Sequence, residues 1–212
     1  MSGALGSGQM PGRAGARRAW FRWPRARRTD TDVALLMREN AALSAEVRAL
    51  ARLARTDPLT GLANRRGWDE QLSRELARAQ RSAAALSIAL LDLDDFKSFN
   101  DAHGHQAGDR LLVEAAAAWR GQLREVDVLC RWGGDEFAVL LPDCSASEAV
   151  EVIARLGPAT PSLRSCAAGV AAWDGRETLH DLLRRADTAL LEEKRVRRTA
   201  GARRPFDAAG GR

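Results

Sequence analysis

Carboxylates follow the first strongly apolar segment of the sequence. The run Leu86–Leu91 is interrupted by Ser87 and leads directly into Asp92, and Asp94 and Asp95 come next. A buried strand that presents carboxylates at its carboxyl end is a common way to build a site for a divalent cation. Aspartates at a strand end also serve as turn formers and helix caps. A metal site is therefore indicated only if a second acidic cluster lies beside this one.

A second acidic cluster lies within residues 131–137. Gly133 and Gly134 allow the backbone to turn tightly and to approach a phosphate closely. Asp135 and Glu136 follow, and adjacent strand residues face opposite sides of a sheet. One of these two acids is therefore predicted to be the metal ligand, unless the turn brings both to one ion. The alternative is a plain hairpin followed by two surface acids.

The elements that must position these clusters alternate between helix and strand. A two-residue turn between two strands is typical of an antiparallel hairpin inside an α/β sandwich. We therefore predict an α/β fold with a central, mainly antiparallel sheet. Apolar periodicity and turn residues predict helices over 65–82, 96–102, 107–123, 146–156 and 178–194, and strands over 86–93, 126–132, 136–141 and 165–172.

A seven-residue apolar repeat precedes this domain. Asparagine at one a position favours a parallel, in-register dimer, because each amide can pair with its twin. The alternative is an amphipathic helix packed on its own domain, since about three heptads make a short coiled coil. Asp57-Pro58 ends the helix, and we place a domain boundary near residue 55. The a positions are Val33, Asn40, Val47 and Ala54, and the d positions are Leu36, Leu43 and Leu50.

Composition narrows the class of protein. The 212 residues, 45% hydrophobic, have room for one ordinary domain and an appendage. No apolar run approaches the roughly 18 residues that span a bilayer. The three cysteines form no CxxC pair, which indicates neither a disulfide framework nor a zinc site. A cytoplasmic location fits best.

The positive charge is concentrated at the N-terminus. Residues 1–30 contain seven arginines and one aspartate, more than the whole net charge of +5. The rest of the chain is therefore not a basic nucleic-acid binder. Tryptophans among these arginines suit weak contact with an anionic membrane surface, and the alternative is a disordered tail. We predict a flexible tail over 1–30, a coiled-coil helix over 31–55, one main domain over 56–199 and a second tail over 200–212.

The motifs together resemble the GGDEF family of diguanylate cyclases, which condense two GTP molecules into cyclic di-GMP. Residues 133–137 read GGDEF, and the similarity extends from Thr56 to Thr199. The implied fold is similar to polymerase palm and nucleotidyl cyclase domains. Four further segments carry the resemblance: DPLTGLANRR at 57–66, DLDDFKSFND at 92–101, GHQAGD at 104–109, and RAD at 185–187 followed by Lys194 and Arg198.

The resemblance implies a site for two Mg²⁺ or Mn²⁺ ions in each GTP half-site. The ligands are the Asp92 carboxylate, the Leu93 carbonyl and the Glu136 carboxylate. Asp135 lies near the attacking hydroxyl, as a base or as an additional ligand. Divalent ions suit the reaction, because they stabilise both the attacking and the leaving oxygen when pyrophosphate departs.

The resemblance also implies the residues that bind the phosphates. Lys97, Lys194 and Arg198 hold the β- and γ-phosphates, with Lys97 counted among the catalytic residues. Only two of the 33 cationic residues are lysines, and both fall at these positions. A lysine ammonium is a compact point charge suited to phosphate. The implied substrate site also includes Phe96, Gly133 and Gly134.

Recognition of the base is implied for two further residues. Asn100 and Asp109 hydrogen-bond the guanine edge, and His105 supports the loop between them. An aspartate accepts hydrogen bonds from guanine N1–H and N2–H₂, whereas adenine has no donor at N1. The resemblance and this chemistry both predict GTP.

Control and assembly are implied as well. Arg124 and Asp127 match the family's RxxD site, where cyclic di-GMP binds as an inhibitor. Each subunit binds one GTP, so the active form is a homodimer whose coiled coil raises the effective concentration of the half-sites. The alternative is a degenerate module that binds GTP or cyclic di-GMP without catalysis. Loss of Asp92, Glu136 or the glycines would favour that alternative, and none is lost.

The sequence departs from the family pattern at several positions. The segment 157–161 is shorter than usual, so a peripheral element is expected to be reduced. Leu191 stands where an aromatic residue is common, and Arg197 stands where glycine is common.

Overall fold

A computed structural model describes residues 30–162 and 165–199. The chain divides into two compact units, one ending at Ser44 and the other beginning at Ala45. The basic tail predicted over 1–30, apart from Asp30, and the tail over 200–212 lie outside the described residues. The domain limits drawn from the sequence stay predictions.

Seven helices and five strands are present in the described residues. No helix among them is long and apolar enough to cross a bilayer. The helices are α1 (Asp30–Leu53), α2 (Arg65–Ser82), α3 (Phe96–His103), α4 (His105–Arg120), α5 (Ala146–Ala154), α6 (Leu156–Ala159) and α7 (Leu179–Thr199). The strands are β1 (Ala63–Asn64), β2 (Leu86–Leu93), β3 (Val128–Gly133), β4 (Glu136–Pro142) and β5 (Cys166–Ala172).

The five strands form one sheet in the order β1-β3-β4-β2-β5. β1 pairs with β3 in parallel, and the other three pairings are antiparallel. The predicted α/β fold with a mainly antiparallel sheet is confirmed. The β1 strand was not predicted, because two residues are too short to show a period-two pattern. β2 lies between β4 and β5, so its acidic carboxyl end has a strand on each side.

Both faces of the sheet are covered, which explains the continuous apolar run of β2. Leu91 and Leu93 face a core cluster that contains Trp119. Ile88 faces a second cluster around Trp68. Successive side chains of a strand point to opposite faces, so a strand buried on both sides needs apolar residues throughout.

Local signals set several helix bounds. α2 matches its predicted range, because the Asn64 side chain accepts a hydrogen bond from Gly67 N and Ala83 ends the helix in the left-handed conformation. The helix predicted over 146–156 is instead split into α5 and the short α6, in the region where the family pattern is shortened. α7 continues five residues beyond its predicted end at Lys194.

Candidate active site

The two carboxylates predicted to bind metal lie side by side. The antiparallel register of β2 and β4 pairs Asp92 directly with Glu136. Directly opposed residues share one face of a sheet, with Cβ atoms about 5 Å apart. In addition, Leu93 N donates a hydrogen bond to the Asp135 carbonyl oxygen over 3.2 Å. The end of β2 and the start of β4 therefore form one acidic corner.

The hairpin turn differs by one residue from its prediction. β3 ends at Gly133, and the turn is formed by Gly134 and Asp135 instead of the two glycines. Gly134 has φ +56°, a conformation that favours glycine. Because Asp135 lies in the turn, strand alternation does not direct it away from Glu136. Burial, and then the charge of Asp92, raise the pKa of Asp135 above its ordinary value.

An arginine fixes this turn. Arg131 donates two hydrogen bonds to the Gly134 carbonyl oxygen, from Nε over 3.0 Å and from Nη2 over 2.9 Å. Its Nη1 lies 3.2 Å from Asp57 Oδ1, and both side chains are 16% exposed. Burial alone would raise the pKa of Asp57, but hydrogen bonds from Thr60 and Arg131 hold that pKa below its ordinary value. Neither residue was predicted to have this role, although Asp57 lies in the DPLTGLANRR motif.

A lysine occupies the metal-ligand corner. Lys194 Nζ lies 2.7 Å from Asp92 Oδ2, and the two side chains are 25% and 15% exposed. The other two predicted phosphate ligands are exposed: Lys97 lies in the first turn of α3, and Arg198 lies in the last turn of α7. Two helices, α3 and α7, therefore carry the three predicted cations near the end of β2.

The residues predicted to bind guanine lie on two helices in close contact. Asn100 belongs to α3, and a Cβ at Gly108 of α4 would overlap its Oδ1. That Oδ1 atom is buried and accepts no hydrogen bond within the described residues. Asp109 is exposed and lines a surface pocket of about 220 Å³ together with Leu59. Leu59 was not predicted as a site residue, although it lies in the DPLTG motif.

Two other predicted site residues have different surroundings. Phe96 is half-buried and packs against the main core cluster, so it anchors the start of α3. His105 is the exposed first residue of α4, four positions before Asp109. The roles assigned to individual site residues stay predictions.

Residues 54–200 match the family described as "Diguanylate cyclase, GGDEF domain". The chain belongs to the GGDEF family. This GGDEF protein is 41% identical over 155 residues to diguanylate cyclase DgcP of Pseudomonas aeruginosa, covering 68% of this chain and 23% of DgcP. It is 39% identical over 176 residues to diguanylate cyclase TpbB of the same species, covering 77% of this chain and 40% of TpbB. The chain thus spans less than half the length of these relatives.

The fold is also similar to solved GGDEF structures. The coiled coil and GGDEF domain of DgcB from Caulobacter crescentus, in complex with c-di-GMP, matches with a TM-score of 0.72 and 30% sequence identity. That match covers 78% of this chain and 94% of the DgcB chain. The similarity therefore extends over almost the whole of the solved DgcB chain.

The acidic corner of this GGDEF domain has the chemistry of a divalent-cation site. Within residues 30–162 and 165–199, no group of three or more His, Cys, Asp and Glu residues is arranged to hold a metal. The implied set needs only two such side chains, Asp92 and Glu136, with the Leu93 carbonyl. All three supply hard oxygen donors, and the Lys194 ammonium shows that the corner attracts a cation. The set fits Mg²⁺ if substrate phosphates complete the coordination.

The two residues of the RxxD motif, Arg124 and Asp127, form an ion pair with each other. The Asp127 carboxylate accepts hydrogen bonds from Arg124 N over 2.8 Å and from Arg124 Nη2 over 2.9 Å. The Arg124 Nη2 group also donates to the Pro142 carbonyl oxygen. The Asp127 side chain is 1% exposed, whereas that of Arg124 is 49% exposed. Arg124 is therefore the accessible member of the pair.

Proposed function

We propose that this protein is a diguanylate cyclase that condenses two GTP molecules into cyclic di-GMP and two pyrophosphates. The observation that carries the proposal is the direct pairing of Asp92 with Glu136 beside the Gly134-Asp135 turn. The named cyclases among the relatives support the same activity. In the reaction, each 3′-hydroxyl attacks the α-phosphorus of the other GTP, and the bond to pyrophosphate breaks.

The acidic corner is proposed to hold two divalent ions in each half-site, Mg²⁺ or Mn²⁺. Asp92, Glu136 and the Leu93 carbonyl are the residues that would hold them. Such ions, when bound, lower the energy of the charge that develops on the attacking and leaving oxygens. Asp135 accepts the proton of the attacking hydroxyl, since its raised pKa brings it closer to the pH at which a carboxylate is an effective base.

Cations at the end of β2 are proposed to bind the triphosphate. Lys194 lies at this end already, in contact with Asp92. Lys97 occupies the first turn of α3, whose N-cap residue Asp95 makes no side-chain cap. Amides at a helix N-terminus attract anions, so this turn can take up phosphate together with Lys97. Arg198 adds a third cation, and the Gly133-Gly134 backbone permits close approach.

Guanine is proposed to lie near Asn100 and Asp109. The Oδ1 atom of half-buried Asn100 is itself buried and accepts no hydrogen bond within the described residues, so it has the capacity to accept one from a guanine donor. The exposed Asp109 can accept from guanine N1–H and N2–H₂. Leu59 lines the pocket beside Asp109 and supplies apolar contact for the base.

The active form is proposed to be a homodimer joined through α1. Apolar heptad residues of this helix are exposed, among them Leu36 at 45%, Leu43 at 60% and Val47 at 63%. A stripe of this kind in a 24-residue helix is stabilised by a second copy of the same stripe. The basic tail and its contact with a membrane surface concern residues 1–30, which lie outside the described residues apart from Asp30.

Cyclic di-GMP is proposed to inhibit at the RxxD pair. The half-exposed Arg124 guanidinium is oriented by the buried Asp127 and the Pro142 carbonyl oxygen through Nε and Nη2, so its Nη1 group is the one proposed to donate to a phosphate. The non-catalytic alternative, a GTP or cyclic di-GMP receptor, is separated from catalysis by one experiment. The purified full chain is incubated with GTP and Mg²⁺, and the products are identified by mass spectrometry. Cyclic di-GMP and pyrophosphate in a 1:2 ratio support the proposal, and binding of GTP without turnover favours the receptor.

A further inference from the structure

The last turns of α7 lack apolar anchors. The buried residues of this helix are Leu182, Ala186 and Leu190. Around the last two, α7 lies so close to β5 that a Cβ at Gly169 would overlap the helix backbone. Beyond Leu190, the apolar side chain of Val196 is 49% exposed. Apolar packing therefore holds the middle of α7 but not the turns that carry Lys194 and Arg198.

Two ion pairs connect these turns to the end of β2. Lys194 Nζ lies 2.7 Å from Asp92 Oδ2, and Arg197 Nη1 lies 3.0 Å from Asp94 Oδ2. Residues three apart are neighbours on one face of a helix, about 4.5 Å along its axis. Residues two apart lie about 6.6 Å apart along a strand. The two cations of α7 and the two carboxylates at the end of β2 therefore have similar spacings, so that both ion pairs can form together.

The Arg197–Asp94 pair is fixed at both ends. The Asp94 carboxylate accepts a 2.5 Å hydrogen bond from Ser165 Oγ, and Asp94 N donates to the Ser165 carbonyl oxygen. Arg197 Nε donates to Glu193 Oε1 over 2.7 Å. The side chains of Arg197 and Asp94 are 37% and 27% exposed. Both groups are thus oriented before they meet, which lowers the entropic cost of the ion pair.

A neighbouring ion pair shows the contrast. Arg195 pairs with Glu192 within α7, at 2.7 Å, and these side chains are 72% and 57% exposed. That pair stays inside the helix and does not reach β2. It therefore provides a matched control, because it is also an arginine–carboxylate pair at a similar distance and its arginine lies on the same helix.

We propose that Arg197 is a positioning residue for the triphosphate site. Its ion pair with Asp94 holds the last turns of α7 against the end of β2, so that Lys194 and Arg198 stay aligned with the β- and γ-phosphates. The Lys194–Asp92 pair cannot serve this purpose during the reaction, because Lys194 moves to phosphate and Asp92 to the metal. The inference rests on the proposed function, which assigns Lys194 and Arg198 to the phosphates.

The test compares Arg197→Gln, Asp94→Asn, their double variant and the control Arg195→Gln in the full chain. The first readout is the affinity for 3′-deoxyGTP with Mg²⁺, measured by calorimetry, because this analogue lacks the attacking hydroxyl and is not converted. The second readout is hydrogen exchange of the amides of residues 191–199. The third is the division of any activity loss between KM and kcat.

The expected result is specific to the Arg197–Asp94 pair. Arg197→Gln weakens analogue binding about twofold to fivefold, in keeping with a partly exposed, oriented ion pair. It also speeds exchange in residues 191–199, whereas Arg195→Gln changes neither measurement. KM rises with little change in kcat, because the variant binds the triphosphate less tightly. A loss of folded protein would instead lower the apparent kcat and leave KM unchanged. The double variant is no weaker than Arg197→Gln alone, and Arg197→Lys recovers part of the affinity.

Other outcomes overturn the proposal. Equal behaviour of Arg197→Gln and Arg195→Gln would mean that the ion pair does not hold α7. Weaker binding by Arg197→Gln with normal binding by Asp94→Asn would mean that Arg197 acts independently of Asp94. If the wild-type chain fails to bind 3′-deoxyGTP, the proposed function fails, and hydrogen exchange alone then decides whether the pair holds the helix.

Discussion

Lys194 Nζ lies 2.7 Å from Asp92 Oδ2, which places a predicted phosphate ligand on a predicted metal ligand. The same two charges act on the pKa of the neighbouring Asp135. Burial has the largest effect and raises this pKa, the charge of Asp92 raises it further, and the charge of Lys194 lowers it. In the nucleotide-free protein, the ammonium neutralises part of this acidic corner. If metal and GTP bind as proposed, Lys194 is transferred from a carboxylate to a phosphate.

Lys194→Met is predicted to have opposite effects on metal and nucleotide. Without the competing ammonium, Mn²⁺ alone binds the nucleotide-free protein about twofold to fivefold more tightly, the range of a partly exposed ion pair. GTP with Mg²⁺ binds more weakly, because a phosphate ligand is lost. Calorimetry on both ligands checks this, with Arg195→Met as the control. Weaker Mn²⁺ binding by the variant would contradict the competition between lysine and metal.

Glu136→Gln is predicted to abolish cyclic di-GMP formation without unfolding the protein. The change removes a charge at nearly constant volume from an exposed side chain at the start of β4. Loss of a metal ligand worth several kcal/mol corresponds to a decrease of about 100-fold or more in rate. Product formation and the thermal unfolding midpoint are measured together, and Glu151→Gln on the surface of α5 is the control. Retention of a tenth of the activity would sink the ligand assignment.

Acid is predicted to weaken the contact between Asp57 and Arg131. The folded-state pKa of Asp57 is depressed, so its ionised form stabilises the fold above the ordinary aspartate value of about 3.9. That contribution is lost as the pH falls through the lower folded-state pKa. The difference in free energy of unfolding between wild type and Asp57→Asn is therefore greatest near neutral pH and shrinks below about pH 4.

Urea unfolding at several pH values measures this difference, with Asp69→Asn on the exposed surface of α2 as the control. A wild-type to Asp57→Asn difference that stays constant from pH 7 to pH 3 would show that the Asp57 charge does not stabilise the turn through Arg131.

Dimerisation is predicted to depend on heptad position and not on exposure alone. Leu43 occupies a d position and Leu35 a c position, and their side chains are 60% and 63% exposed. Leu43→Glu should yield a monomer. At low protein concentration its activity should be at most about a tenth of the wild-type activity, and this activity should recover as the protein concentration rises. Leu35→Glu should remain a dimer. Sedimentation and activity over a dilution series check both variants. Equal masses for the two variants would contradict dimerisation through the a and d positions of α1.

Arg124→Ala is predicted to affect both control and stability. Cyclic di-GMP added to the assay should no longer inhibit, because the accessible guanidinium is gone. The buried Asp127 carboxylate also loses its partner, which lowers stability by about 1–2 kcal/mol once the exposure of Arg124 is taken into account. Progress curves with and without product, together with urea unfolding, test this against Arg176→Ala. Unchanged product inhibition would refute the site.

Much of the fold could be predicted because its signals are local. The α2 helix begins after the capping side chain of Asn64 and ends where the backbone of Ala83 adopts the left-handed conformation, and both residues are adjacent to the helix. The β2 strand was recognised from its apolar run and the acids that end it. The family assignment was confirmed because short motifs keep their order and spacing along the chain, and a sequence displays both directly.

Only the tertiary structure decided how distant residues meet. The register that places Asp92 opposite Glu136 depends on the pairing of two whole strands. The turn lies one residue later than predicted and therefore includes Asp135. Arg131 reaches Asp57 across 74 residues, and Arg197 reaches Asp94 across 103. Such ion pairs leave no local pattern, because each charge alone is indistinguishable from a solvated one. They form only when packing of helices on the sheet brings both partners within hydrogen-bonding distance.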